Sequence, residues 1–349
     1  VLSDAKLRVS YGITGNNRIK EFAYLSQLLL SDANAYPYNN VLYSGISLNS
    51  LGNPDLKWES TGQLNVGYDL SLLRQRLSLT ADWYRKVTYD LLLNAQIPYT
   101  MGVSQAFKNI GKMRNEGLEL SINTINFKKT NFSWSSNFNI SFNKNKLLAL
   151  TENQSTLLSG AKFTSNYDAL FPYIAILGEP VAQMYGLIWE GNYQYDDFIQ
   201  LPNGQYSLKD NVASYPNINI QPGEIKYRDI NGDLTIDAKD YTVIGRSLPL
   251  HTGGFSNDFS YRNFDLNVFF QWSYGNDIVN ANRLVLESGG YNVNQFASFK
   301  DRWSPDNQTN EVFRVNGKGP NAFSSRILED GSYLRLKNLE LAYTFRPDF

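Results

Sequence analysis

The chain has 349 residues, with 32 Lys and Arg against 33 Asp and Glu, giving a formal net charge of -1. It holds no Cys and a single His, which excludes a disulfide scaffold, a thiolate nucleophile and Cys-based zinc sites. The balanced charge leaves no basic footprint for nucleic acid, and 23 Tyr, 20 Phe and 6 Trp favour sheet over helix.

No stretch approaches the ~18 apolar residues of a membrane helix, a test that says nothing of membrane strands, because these alternate. The mean hydropathy of -0.38 is compatible with such strands. No signal peptide opens the chain, and Val1 begins inside what reads as a domain, so the sequence is expected to be mature, truncated or a fragment.

In chain order, Leu7-Arg-Val9-Ser-Tyr11-Gly-Ile13 alternates apolar and polar residues and breaks at Gly15-Asn16-Asn17. Residues 16 to about 58 read as loop. Leu64 to Leu70 alternates again, and after the tight connection Leu73 to Arg76 so does Leu77 to Trp83. Pro98 to Glu116 reads as loop, Leu118 to Asn123 as strand, Asn126 to Asn131 as a turn, and Phe132 to about Lys146 as a long strand. An excursion of roughly 100 residues, about 147–249, follows, with only short strand-like pieces such as Met184 to Trp189. Phe255 to Tyr261 and Phe264 to Tyr274 flank the short turn Arg262-Asn263, and a second long loop covers about 276–331. Leu334-Arg-Leu336 opens the last strand. Its phase then slips so that Leu339, Leu341, Tyr343 and Phe345 share a face, which predicts a β-bulge at Asn338, and Pro347 stops the strand.

Side chains change face at each strand residue, so each segment has one apolar and one polar face. The connections run long, short, long, short, very long, short, long. Short turns on one side and long loops on the other are the rhythm of an outer-membrane barrel, here about eight antiparallel strands. A soluble β-sandwich also alternates, but its strands are shorter, about five or six residues. Aromatic residues fall near strand ends, among them Trp58, Trp83, Tyr84, Tyr89, Trp134, Trp272, Tyr274, Tyr333 and Tyr343, as girdles at the two membrane interfaces would.

Catalysis finds little support. A Ser-His-Asp triad could use only His251, which stands beside Pro249 and Gly253-Gly254 and reads as a turn residue near the rim. Asp196-Asp197 reads as solvated loop acid rather than a glycosidase pair. Lys128, Lys129, Arg74 and Arg76 sit at short turns. The sharpest motif is Asp229, Asn231, Asp233, Thr235, Asp237 and Asp240, oxygen-bearing residues at positions 1, 3, 5, 7, 9 and 12 of a loop, the ligand rhythm of a calcium site. Leu234 stands where such a loop has Gly, and Asp240 is shorter than the usual Glu. The competing reading is an Asx-bonded turn. No cofactor is required, and calcium is the one ion suggested.

Five blocks resemble the C-terminal barrel half of SusC/RagA-like TonB-dependent outer-membrane transporters of Bacteroidetes. They are Leu7 to Asn16, Asn53-Pro-Asp-Leu-Lys-Trp-Glu59 with Trp83 to Thr88, Asn109 to Leu120, Gly223 to Asp233 with Ile244-Gly245, and Gly331 to Tyr343. Each is weak alone, but together they cover most of the chain in the family's order. The resemblance implies an all-β fold, about eight strands of a 22-stranded barrel, with residues 1–349 as the C-terminal part and the plug, TonB box and last strands absent from the sequence. It implies a non-enzymatic channel in the bacterial outer membrane that imports oligosaccharides or peptides with energy from TonB and ExbB-ExbD. A SusD-like surface lipoprotein would rest on the two long loops, two such pairs could dimerise, and outer-membrane lipid would surround the wall. Asn137, Asn139, Ser141, Asp265, Asn267 and Gln271 would face the lumen, and Tyr36, Tyr38 and Tyr291 are loop aromatics able to stack on substrate. Two alternatives remain, a passive porin-like barrel and a soluble secreted β-sheet protein that binds glycans.

Overall fold

A computed structural model describes residues 2–17, 21–96, 99–103, 105–150, 154–161, 163, 171–216, 218–289, 293–317, 319 and 322–345, without the side chains of 32–33, 93–96, 99 and 105. Tyr291 and Pro347 lie outside these residues.

Eight strands form one antiparallel sheet: β1 (Leu2–Asn16), β2 (Glu59–Leu72), β3 (Leu77–Tyr89), β4 (Lys112–Lys129), β5 (Phe132–Ala149), β6 (His251–Tyr261), β7 (Phe264–Tyr274) and β8 (Tyr333–Tyr343). Each pairs with its neighbour in sequence order, so the sheet is an up-and-down meander. Between β2 and β3 the chain reverses through Leu73, Arg74 and Gln75, all with positive φ, and between β6 and β7 through Arg262, also with positive φ. Such turns match the right-handed twist of a hairpin. The guanidinium of Arg76 donates to the carbonyls of Ile125 and Asn126, tying two neighbouring turns together.

The strands are longer than alternation alone predicts. β4 begins at Lys112 inside the segment read as loop, and β5 continues past Lys146 to Ala149. Hydrogen-bonded pairing continues there, Arg114 with Lys146 and Asn115 with Asn145, while both faces become polar. Alternation reports contact with lipid, and the ladder outlasts it. The phase slip in β8 is a bulge: Phe269 pairs with Asn338 and Phe270 with Leu336, leaving Lys337 as the extra residue. A second bulge, at Asn126 in β4, lies within the stretch read as a turn.

The connections from β1 to β2 and from β3 to β4 each hold a hairpin. Gln27–Tyr38 pairs with Val41–Ser50 across Asn39 and Asn40, both with positive φ, and Leu92–Gln96 pairs with Gln105–Asn109. The Asn-Asn pair supplies the left-handed backbone that a two-residue turn requires.

The apolar face of the sheet is uncovered. Leu7, Tyr11, Leu334 and Leu341 are each about 70 % exposed. Aromatic residues gather at two levels on it. Near the short turns, Trp134 stacks on Phe259 at 5.5 Å and Phe264 meets Tyr343 at 4.7 Å. Near the long loops, His251 stacks on Tyr274 at 5.1 Å, approaches Phe142 at 5.6 Å and accepts from the Trp272 indole N–H at 3.1 Å. From Phe132 to Phe142 the strand climbs ~25 Å at ~3.3 Å per residue and ~40° tilt, the height of an outer-membrane apolar band.

The two long excursions are not open loops. They interlock into a module with its own core. Leu187 and Ser325 exchange backbone hydrogen bonds with the other excursion, Leu187 N–H donating to Phe323 and Ser325 N–H to Leu187, both close to 3 Å. Tyr193, Phe198, Tyr215, Ile225, Tyr227, Ile236 and Phe313 form one buried cluster, and Met184, Phe323 and Ile327 a second. Several buried polar groups are paired: Asn192 Nδ2 donates to the carbonyls of Thr309 and Val312, and Trp303 Nε1 to Gln194 Oε1, while Asn192 Oδ1 and Arg326 Nε are left without a hydrogen-bond partner. Arg326, buried over the Phe313 ring, meets Glu287, which also pairs with Arg283 at 3.1 Å.

Candidate functional site on the polar face of the sheet

Pairing register decides which side chains share the polar face. Arg8, Gly67 and Asp82 lie opposite one another on β1, β2 and β3, as do Asn137, Ser256 and Phe269 on β5, β6 and β7. All six residues expected to face the lumen, Asn137, Asn139, Ser141, Asp265, Asn267 and Gln271, therefore stand on this one face, with apolar neighbours such as Phe138, Ile140, Leu266 and Trp272 on the other.

The half built from β1 to β4 is charged. Arg8 reaches Asp69 with Nε at 2.7 Å and Asp82 with Nη2 at 2.9 Å. Gly67 leaves room for this: a Cβ there would stand 2.2 Å from Asp82 Oδ1 and 2.6 Å from Arg8 Cζ. Gly117 gives the same room to Tyr84, whose hydroxyl crosses to donate to Asn143 Oδ1 at 3.0 Å. Around these groups lies an open recess of about 630 Å³, bordered also by Gln63, Asn65, Lys86, Asn115 and Glu119. Sequence reading placed Tyr84 among the girdle aromatics, but its register puts it on the polar face beside Asn65 and Gly117.

The half built from β5 to β8 carries amides and hydroxyls. Asn267 Nδ2 donates to Asp258 Oδ1 at 2.6 Å and Ser256 Oγ at 3.2 Å, while its Oδ1 accepts from Asn338. Ser260 Oγ donates to Asp265 Oδ1 at 2.6 Å, and Asn137 Nδ2 donates to Asn123 Oδ1. Phe269 is the apolar intruder, its ring lying against Gly254, where a Cβ would come within 2.9 Å. The recess and its Arg8 cluster were missed by sequence reading. The signal was present as polar positions in phase, Lys6, Arg8 and Ser10 against Gln63, Asn65, Gly67 and Asp69, but their partners depend on register.

The six residues of the calcium motif share one loop, and their oxygens face the protein's own donors. Asp229 accepts from the N–H groups of Gly232 and Leu234 at 2.7 and 2.8 Å, Asp233 from Thr235 at 3.0 Å, and Asp237 from Lys239 at 2.7 Å. Fully buried Asp240 accepts from Ile230 and Asp237, both at 2.8 Å. Thr235 has its N–H engaged in the same chain of Asx bonds, and Asn231 Nδ2 donates to Asp233. Lys239 Nζ lies 3.2 Å from Asp233 and 3.7 Å from Asp237. The hydrogen bond from Asn231, then Lys239, hold the Asp233 carboxyl below its ordinary range, and Asp233 raises Lys239 in turn. Among the described residues no three His, Cys, Asp or Glu side chains converge as a metal set. Leu234 adopts φ +62, the left-handed backbone that explains why Gly would suit this position.

The remaining residues considered for chemistry have structural partners. Asp197 caps a short turn by accepting from Gln194 N–H and pairs with Lys226 at 2.9 Å. His251 opens β6 near the rim, enclosed by aromatic rings. Tyr36 and Tyr38 are exposed on their hairpin, stacked or edge-on against Tyr43.

Comparison with known proteins agrees with this geometry. Residues 4–349 match the family model "TonB dependent receptor-like, beta-barrel". TonB-dependent receptor P3 of Formosa agariphila is 35 % identical over 99 % of this chain and 32 % of its own length, and the TonB-dependent receptor SusC of Bacteroides thetaiotaomicron is 28 % identical over 99 % and 32 %. The structure of the RagAB peptide importer in its "closed-closed" state superposes with a TM-score of 0.74 at 26 % identity, covering 98 % of this chain and 34 % of that one. The chain thus spans about a third of the length of the curated relatives it matches. It belongs to the TonB-dependent receptor-like β-barrel family and forms barrel wall of the outer membrane.

Proposed function

We propose that this wall belongs to a nutrient importer of the outer membrane, passing oligosaccharides or peptides along its polar face with energy supplied through TonB and ExbB-ExbD. The observation that carries the reading is the continuous polar face of eight antiparallel strands, backed by an uncovered apolar face, in a member of this receptor family. The uncovered face weighs against the soluble glycan-binding alternative, because exposed leucine ladders need lipid. Relatives named SusC and the RagAB peptide importer favour an energised importer over a passive pore. The interlocked module over the long loops offers a rigid platform for a SusD-like surface lipoprotein, and two such complexes could pair. The chain's part in this is passage, with no catalytic step.

Calcium at the 229–240 loop belongs to the same proposal as a stiffener of the module. Binding would require Lys239 to leave Asp233 and the Asx bonds to reopen, so Lys239→Ala should raise calcium affinity in isothermal titration; no heat in either form discards the site.

The transport reading is tested by uptake of labelled oligosaccharide and peptide libraries in cells making the full-length protein, with and without an active TonB. TonB-dependent accumulation of one class, reduced by Asp82→Ala or Tyr84→Phe, is expected. Equal accumulation without TonB would leave a passive pore, and none of either class would end the reading.

A further inference from the structure

Outside the sheet, the module holds a recess of about 300 Å³, at the small end of ligand pockets. Tyr195, Tyr206 and Trp303 form an aromatic wall, and Arg302 and Arg314 border the same space. The wall is fixed by the protein itself. Trp303 is buried, its Nε1 donates to Gln194 Oε1 at 2.8 Å, and its ring lies so close over Gly223 that a Cβ there would stand 2.3 Å away. The half-buried Tyr195 ring leans on Trp303 at 5.4 Å and on half-buried Tyr206 at 5.0 Å. Backbone bonds bring the two arginines to one place: Trp303 N–H donates to the Val312 carbonyl and Arg314 N–H to the Gly223 carbonyl, both at 2.8 Å.

Of the ten described residues that border the recess, two are arginines and none is acidic. Each guanidinium makes one long hydrogen bond among the described residues, Arg302 Nη1 to the Phe299 carbonyl at 3.4 Å and Arg314 Nη1 to the Pro222 carbonyl at 3.3 Å. A guanidinium carries five N–H donors, so most are left over. Neither arginine forms an ion pair among the described residues. The acids close in sequence stand outside the lining. Asp301 and Asp306 are exposed, and Glu224 attracts Arg314 but is itself half-buried, which pushes its carboxyl up. We infer that this recess binds an acidic sugar unit, its carboxylate or sulfate held by Arg302 and Arg314 and its ring against Tyr195 and Tyr206. The planar fork of arginine matches the oxygens of either anion. A bare anion would need only the arginines, whereas the fixed wall beside them suits a ligand with a ring of its own. Gln221 and Ser304 on the border supply donors and acceptors for ring hydroxyls, which an aromatic acid lacks. The inference rests on the importer reading for the source of the sugar, although none of the recess residues belongs to the sheet.

The test is isothermal titration of the full-length protein in mild detergent with methyl glucuronide, a sulfated glucose, methyl glucoside and benzoate. At least one acidic sugar should bind, the tighter of the two naming the anion, with methyl glucoside and benzoate weaker by about tenfold or more. The Arg302→Ala/Arg314→Ala variant should lose about tenfold or more in affinity for the acidic sugar. Arg228→Ala, which removes an exposed module cation paired with Glu190, should bind as the native protein does. Arg302→Lys and Arg314→Lys keep the charge but not the planar fork, and each should bind about threefold more weakly, which keeps the test open if the alanine pair does not fold. Heat-dependent gel migration and limited proteolysis of the module verify folding. No binding of either acidic sugar, equal binding of methyl glucoside or benzoate, or native affinity in every folded arginine variant overturns the assignment. Titration needs no TonB, so the two readings fail separately: binding without TonB-dependent uptake ends the importer reading alone, and uptake without binding ends this site alone.

Discussion

Leu341 in the wall exposes 70 % of its surface, whereas Tyr193 in the module built from the two long excursions exposes none. Both are large side chains that follow a polar residue, Glu340 before Leu341 and Asn192 before Tyr193, yet one part of the molecule turns them outward and the other encloses them. The wall stays ordered through its inter-strand ladder and surrounding lipid, so its specificity lies in register and in the polar network on the inner face. The module stands in water and must bury its own core, pairing most of the polar groups it encloses. One chain thus follows two solvation rules, and the boundary lies where β5 loses its alternation near Lys144.

Substitutions can break this contrast from either side. The largest effect is expected in the module. Glu287→Ala strands Arg326 and Arg283 in low dielectric, and Phe323→Ala opens a cavity, each costing about 3–5 kcal/mol. Thermal unfolding followed by hydrogen exchange should show the module melting early while the wall stays protected; equal loss in both would mean one cooperative unit. In the wall, Val268→Arg at mid-strand on the apolar face should cost about 2–4 kcal/mol in reversible folding into lipid. Asn267→Arg, one residue away on the polar face, should fold nearly as the native protein does, and similar penalties for both would contradict the face assignment. A smaller gain, about 1 kcal/mol, is expected for Leu234→Gly, which relieves a left-handed backbone without touching either core; unchanged or reduced stability of the module would show that the leucine side chain matters there.

The smallest effect concerns pH. Asp233 is depressed, so its contribution is present above the ordinary carboxylate range and is lost as pH falls through its lowered value. Lys239 is raised, so its contribution is complete below the ordinary lysine range and is lost as pH rises through its elevated value. Protection of the loop amides should therefore be flat from about pH 5 to 9 and fall first on the acid side, more weakly at high salt. A transition near neutrality would point to another group.

Much of the wall was legible because lipid enforces a period of two, which is why the eight strands, the short turns and the bulge beside Asn338 could be read. Strand ends were not, since residues such as Asn115 and Lys146 pair beyond the bilayer without an apolar face to mark them. The lumen set from Asn137 to Gln271 followed from parity alone. The Arg8, Asp69 and Asp82 cluster did not, because strands far apart in sequence bring it together. The module escaped because its core residues, Tyr193, Tyr215 and Phe323 among them, are spaced by irregular backbone with neither helical nor strand period. The density of Tyr and Trp between residues 185 and 241 was the available sign.

The Leu187 and Ser324–Ser325 contact joins two pieces of chain with the β6–β7 hairpin between them, and Trp189 N–H reaches Ser325 Oγ across 136 residues. The module cannot close until that hairpin has joined the wall and brought the second piece beside the first. Loop closure over such separations is slow and comes late. The finished module is then a receipt for insertion: an antibody or protease that distinguishes its closed from its open form would read whether the wall beside it has been assembled.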